Sequence, residues 1–317
     1  MTSQSDTGGG GLFAAVRRYR QTSGQQVSFR KNNLLGYVFI APAMALYLTF
    51  NVWPIFRGIA MAFTDYRFVY PETRWEFNGF SNFVKMVGDR RAMDAAGISL
   101  KYLVFVAPAM ILIALILAVL ISKVKRGAAF YRWVVYLPAV LPVAVIFLMF
   151  GEMYGFQFGF INTVLRGWGV ENPPNWLGDR TLALPSIGAA HIWMIFGFPT
   201  LLFLIGIYNI GSEMYEAASL DGANGWQQFL YLTAPLLKPT FALIVVLNLP
   251  LFGVVEPMLI LNNGGPANST RTLGLYLYQQ AFEVGDLRLG YAAAISLVIG
   301  VISALIAGAI FRWSRQD

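Results

Sequence analysis

Cysteine is absent from the 317 residues, and histidine occurs once. No disulfide framework, thiolate nucleophile or thiolate metal site can be built from such a chain. The lone His191 has no companions with which to hold a metal, so no metal site is expected. Charge is also scarce: Asp, Glu, Lys and Arg make up 12%, about half of what soluble domains carry. No G-x-x-x-x-G-K-[ST] run occurs, which removes the usual phosphate-cradling loop. No Ser/His/Asp constellation presents itself, because the one histidine lies within an apolar run. Catalysis by this chain is therefore not expected.

What is plentiful is apolar surface, at 57% hydrophobic residues and a mean hydropathy of +0.58. Burying that much requires a bilayer. Six stretches reach the roughly 20 apolar residues of a spanning helix: about 35–63, 98–122, 131–151, 183–208, 239–262 and 289–312. The expected fold class is an all-α polytopic membrane protein with six spans. Pro42 and Pro54 predict that the first span kinks or ends early. Residues 1–33 are rich in Gly, Ser and Gln and basic, with no apolar core. They read as a disordered cytoplasmic tail rather than a cleaved signal, ahead of a membrane domain over 34–317.

The net charge of +7 does not point to nucleic acid. The cations sit at the ends of apolar runs, where membrane topology uses them. Arg17, Arg18, Arg20, Arg30 and Lys31 precede the first run; Lys123, Lys125, Arg126 and Arg132 join the second to the third; Arg312 and Arg315 follow the last. With six spans these segments share one side, and the positive-inside rule makes it the cytoplasm. Residues 64–97, on the other side, balance five bases against five acids. The 152–182 loop carries Trp168, Pro173, Pro174 and Trp176, which suits a structured outer loop at the interface. The 209–238 connection must then be cytoplasmic, yet Glu213, Glu216 and Asp221 outnumber Lys238. That exception to the charge rule marks a loop with a task other than topology.

Within it, Ser212 can cap a helix that has Glu213 and Glu216 near its positive end. Ala217 and Ala218 leave a low surface, and Gly222 can take positive φ at the helix C-terminus. Asn224 can start a second short helix bearing Trp226, Phe229 and Leu230, stopped by Pro235, with Pro239 opening the next span. On spacing alone, an amphipathic hairpin resting on headgroups also fits, though less well than a docking surface does.

The run Glu216-Ala217-Ala218, Asp221-Gly222-Ala223, Gln227, Phe229 and Ala234-Pro235-Leu236-Leu237-Lys238-Pro239 resembles the EAA loop of permease subunits in binding-protein-dependent ABC importers. Ala234 stands where Leu is common in that pattern. A second stretch, Leu261-Asn-Asn-Gly-Gly-Pro266 with Ala267-Asn268-Ser269-Thr270, Tyr276, Tyr278 and Ala281-Phe282, is similar to the outer loop of carbohydrate-uptake permeases of the maltose, lactose and glycerol-phosphate type. Phe80-Ser-Asn-Phe83 and Asn175-Trp-Leu-Gly-Asp179 also fit that branch. The resemblance covers about residues 34–312.

That resemblance implies a multi-pass subunit of a bacterial or archaeal inner membrane with both termini cytoplasmic. Its substrate would be a sugar or a related polyol or glycerol phosphate. It implies a second permease subunit in a heterodimer, two cytoplasmic ABC ATPases and an extracytoplasmic solute-binding protein. ATP and Mg would be bound by the ATPases, with no cofactor in this chain. Glu216, Ala217, Ala218, Asp221, Gly222 and Ala223 would couple to the ATPase.

Trp193, Phe196 and Gly197 in the fourth run are either packing residues or part of a substrate path, since sugars stack on aromatics. Glu256, near the end of the fifth, either serves that path or sits at a cavity mouth or in a local pair. His191 reads as a hydrogen-bonded helix residue. An ion-coupled secondary transporter is the alternative, but it would want several buried acids or broken helices in two repeated halves. A lipid-directed membrane enzyme would want a His, Asp or Glu cluster at one interface.

Overall fold

The structure, a computed structural model, describes residues 29–69 and 75–314. It divides into two compact units, residues 1–57 and 58–317. In the first unit helix α1, Phe29–Tyr47, runs unbroken through Pro42. A π turn, Leu48–Val52, follows, and α2, Trp53–Ala62, begins directly after it. The looser register precedes Pro54, which has no N–H to give to an α-helical ladder. The first span thus does not end early. Residues 1–28, with Arg17, Arg18 and Arg20, lie outside the described residues, as does Arg315.

The second unit is helical, with one isolated antiparallel bridge, Thr64 to Phe77, among its described residues. Helix α3, Ser81–Gly88, leads into α4, Arg90–Ser122, which is unbroken through Pro108. At 1.5 Å per residue these 33 residues extend about 50 Å, well beyond a hydrocarbon core of about 30 Å. The expected 98–122 is only its apolar part. Asp89 caps α4 by accepting from the Arg91 amide at 2.9 Å.

The third expected span is two helices, α5, Ala128–Val140, and α6, Val143–Met153, bent by 92°. Leu141 precedes Pro142 and is forced to extended dihedrals, which ends α5. After α7, Phe160–Gly167, the fourth is α8, Ala183–Ile195, and α9, Gly197–Tyr208, bent by 48°. Pro199 cannot donate to the Ile195 carbonyl, so the ladder breaks between them.

Helices α10, Ser212–Leu220, and α11, Gly225–Gln228, form the 209–238 connection. A π turn, Phe229–Thr233, and α12, Ala234–Leu236, continue into α13, Lys238–Leu247. The fifth span differs from 239–262. Pro250 ends the α-helical register, and Leu249–Gly253 is 3-10. The apolar bent pair here is Gly225–Leu236 with Lys238–Gly253, bent by 61°. Glu256 then opens a separate helix, α14, Glu256–Leu261. Helices α15, Leu273–Phe282, and α16, Leu289–Ser314, complete the described residues. Among the described residues three continuous helices are long and apolar enough to cross a membrane, and counting each bent pair as one span gives six.

Helix α4 is the hub of the core. Its Tyr102, Val106 and Met110 are buried with Ile187 of α8, Phe203 and Leu204 of α9, Met258 of α14 and Leu275 of α15. Tyr276 and Tyr291 both donate to the Asp89 carboxylate, the latter at 2.9 Å, so one side chain ties α4 to α15 and α16. Gly274 sits so close to the Leu249–Gly253 turn that a Cβ would lie 2.1 Å from the Gly253 carbonyl oxygen.

Candidate functional site

The 209–238 connection is a self-braced helix-turn-helix. Gly211, not Ser212, is the N-cap of α10, and no side chain caps that end; Ser212 is its first helical residue. At the other end Asp221 is the C-cap and Gly222 follows with φ +82°. The Gly222 amide donates to Ser219 O at 3.1 Å and the Ala223 amide to Ala218 O at 2.9 Å. These two bonds, with a left-handed residue between, are a complete Schellman closure. Ala218 and Ala223, the pair that meets across such a closure, are half-buried. The Ala-Ala and Asp-Gly-Ala spacing therefore has a local cause: it terminates a helix within one turn.

Asn224 starts α11 through a capping box with Gln227, which the Asn-x-x-Gln spacing signals. Gln228 Nε2 donates to Ser219 Oγ at 2.9 Å and Ala223 O at 3.2 Å, and Tyr215 pairs with Thr233 through their hydroxyls at 3.0 Å. Pro235 does not stop the second helix; the Phe229–Thr233 π turn accommodates it. This bracing leaves Glu216, Ala217 and Asp221 exposed. Leu220 is 89% exposed and Trp226 67%, the latter stacked on Phe229 at 5.7 Å. Ser212, Tyr215, Glu216, Ser219 and Leu220 line a shallow groove. A second groove lies between the loop and the C-terminal ends of α4 and α9, lined by Ser122, Lys123, Tyr208, Tyr215 and Gln228 among others.

Sequence reasoning missed Leu220. It is an apolar residue four positions after Glu216, within a segment with no span to enter, which is the signal that could have found it. Tyr215 and Gln228 were also missed, since their partners emerge only once the two helices fold together.

Trp193, Phe196 and Gly197 flank the α8–α9 break and are half-buried, half-buried and buried respectively. Trp193 meets Phe150 edge-on at 5.5 Å. Gly197 faces the α5 backbone, where a Cβ would lie 2.4 Å from Val135 O. Its place is thus a close helix crossing. His191 is buried and shares a 2.7 Å hydrogen bond with the Tyr102 hydroxyl. Glu256 is exposed in the first turn of α14, where a carboxylate favours the helix dipole. Among the described residues no hydrogen bond or ring contact joins Glu256 to the other three.

The family described as "Binding-protein-dependent transport system inner membrane component" matches residues 110–316. The chain belongs to that family. Its curated relatives include the probable ABC transporter permease protein YesP of Bacillus subtilis (strain 168), 34% identical over 292 residues, 90% of this chain and 92% of that one. The lactose transport system permease protein LacF of Rhizobium radiobacter is 32% identical over 287 residues, 89% of this chain and 94% of that one. A bacterial ABC transporter involved in the import of the acidic polysaccharide alginate contains a chain of the same fold. It matches with a TM-score of 0.75 and 24% identity over 90% of this permease and 96% of that chain.

The permease is thus an ABC-type transport component of the inner membrane, not an enzyme. The all-α expectation stands, and so does the importer assignment read from the Glu216–Pro239 spacing.

Proposed function

We propose that the 209–238 loop of this permease seats a cytoplasmic ABC ATPase and converts its closure into helix movement. The observation that carries this reading is the loop surface. Exposed Glu216, Ala217 and Asp221 lie beside exposed Leu220 and Trp226 on a scaffold fixed by its own hydrogen bonds. A loop meant only to rest on headgroups has no need of carboxylates among its exposed apolar groups. Glu216 offers a charged anchor to a basic or backbone donor.

In this reading each bent pair is one span, so six spans leave both termini in the cytoplasm. A second, different permease subunit completes the pore. Two ATPases bind the ATP and Mg, and an extracytoplasmic binding protein delivers the solute. The solute is a sugar or a related polyol or glycerol phosphate; a relative named for lactose transport supports that class. Trp193 and Phe196 border the path, Gly197 sets the helix crossing beside it, and Glu256 stands at its edge.

The test is co-purification. The wild-type permease, solubilised with its complex, should carry ATPase subunits, and Ala217→Trp should release them while the membrane helices still insert. An Ala217→Trp complex that keeps its ATPases and its uptake would remove the docking reading.

A further inference from the structure

Helix α4 begins with a charged stripe. Arg90, Arg91, Asp94 and Lys101 all border one cavity of about 900 Å³. Arg180, from the loop before α8, and Arg271, from the loop before α15, close it from other directions. The lining thus holds five cations and one carboxylate. Among the described residues none of the five has an ion-pair partner. The Arg271 guanidinium lies 5.3 Å from the Tyr276 ring, and its buried Nε has no hydrogen-bond acceptor.

Among the described residues nearby acids form no ion pair with these five cations. Asp89 accepts from Tyr276, Tyr291 and the Arg91 amide, and Asp179 from Thr181 and the Leu182 amide. Asp65 and Asp286 are paired with Arg67. Of the residues 64–97 that balance in sequence, Asp65 and Asp89 are tied into the scaffold, while Arg90 and Arg91 face the cavity with Asp94 as its one carboxylate.

Three features favour a small ligand over a protein surface. The site is concave and of a size that holds small molecules, about 300–1,000 Å³. Thr181, Asn268 and Ser269 add neutral hydrogen-bonding groups to its lining, as sugar hydroxyls require. Arginine presents a planar fork that matches carboxylate and phosphate oxygens. The cavity lies at the end of α4 opposite the 209–238 loop. Lys101 is the last of the lining residues along α4, next to the fully buried Tyr102.

We propose that this cavity admits a saccharide bearing an anionic group, carboxylate or phosphate, on its way into the pore. The proposal rests on the sugar-importer reading above and narrows its substrate class. The cations desolvate and orient the anion, and the hydroxyl and amide groups take the sugar ring.

The test uses the complete importer in nanodiscs, without binding protein, titrated with digalacturonate, glucose 6-phosphate and neutral galactobiose. Digalacturonate differs from galactobiose by carboxylates in place of hydroxymethyl groups. At least one anionic probe should bind about tenfold or more tightly than galactobiose, and which one does separates carboxylate from phosphate. Arg90→Gln combined with Lys101→Gln should lower that affinity about tenfold or more and leave galactobiose unchanged. Both side chains are exposed and unpaired, so folding should survive. Asp94→Asn should raise anion affinity severalfold, a sign that a merely structural role would not give.

Galactobiose binding as tightly as the anions, untouched by the variants, overturns the anionic proposal and leaves the sugar reading standing. Unchanged saccharide binding with weakened capture of the purified binding protein also overturns it, making the cavity a protein-docking surface. Binding of none of the three probes overturns the anionic proposal and leaves standing the importer reading, in which a binding protein delivers the solute.

Discussion

Replacing Gly222 isolates the contribution of backbone geometry to the 209–238 loop. Its φ is +82°, and a Cβ built there meets nothing within 4 Å. Any penalty for a side chain is therefore conformational and not steric. Holding an L-residue in the left-handed region costs about 1–2 kcal/mol. Gly222→Ala should then shift the local closing equilibrium of the α10 terminus about 5- to 30-fold toward the open form. Asn tolerates this region far better, so Gly222→Asn should cost only a fraction of that. The reporters are the two amides that close the turn, Gly222 to Ser219 O and Ala223 to Ala218 O. Hydrogen exchange on the purified complex should show the position-223 amide accelerated by the same 5- to 30-fold in Gly222→Ala and much less in Gly222→Asn. ATP-driven uptake should fall in the same order. If Asn accelerates exchange as much as Ala, the glycine is kept for space and not for its dihedral. If Ala changes nothing, the closure does not hold the helix end.

Three further outcomes follow from the packing. Asp89 is held below the usual carboxylate range: partial burial works against its charge, but hydrogen bonds from Tyr276, Tyr291 and the amides of Arg91 and Ala92 outweigh that. Its contribution is present above the unfolded value near 3.9 and is lost as pH falls through the lower folded value. Thermal unfolding should show no Asp89-dependent change between pH 5 and 8, and Asp89→Ala at pH 7 should cost on the order of 2 kcal/mol; a wild-type loss near pH 6 removed by Asp89→Ala would contradict this. Gly274→Ala drives a Cβ against the Gly253 backbone and should cost about 1–3 kcal/mol, whereas Gly300→Ala, open within 4 Å, should be neutral or slightly stabilising in the same assay; equal effects would refute the close approach. Trp193→Ala and Phe196→Ala should each reduce uptake partially while assembly and basal ATPase persist; failure to assemble would make both packing residues.

How much could be read beforehand depends on the distance over which each feature is built. Six apolar runs were legible because a bilayer demands about twenty such residues in a row. Gly222 and the Asn224 start were legible because a turn is a local event. The 92° bend at Leu141–Pro142 was not, although Pro138 and Pro142 were in view: Pro108 sits inside α4 without breaking it, so packing decides which proline bends its helix. The fifth span was misplaced because Pro250 interrupts an otherwise apolar run. Leu220 looked like part of a motif and proved to be the most exposed large apolar side chain of the loop. The cationic cavity had no signature at all, since positions 90–101, 180 and 271 meet only through tertiary folding.

Helix α4 borders both the cationic cavity, through Arg90 to Lys101, and the groove behind the 209–238 loop, through Val119 and Ser122. No break separates the two stretches. A tilt of about 5° over about 50 Å moves one end by about 4 Å relative to the other. A solute that prefers one inclination of this rod must change the affinity of whatever grips its far end. Reciprocity then requires that far-end partner to change the solute's affinity by the same factor. With an ATPase seated on the loop as proposed, nucleotide consumption and cargo occupancy become two readings of a single angle.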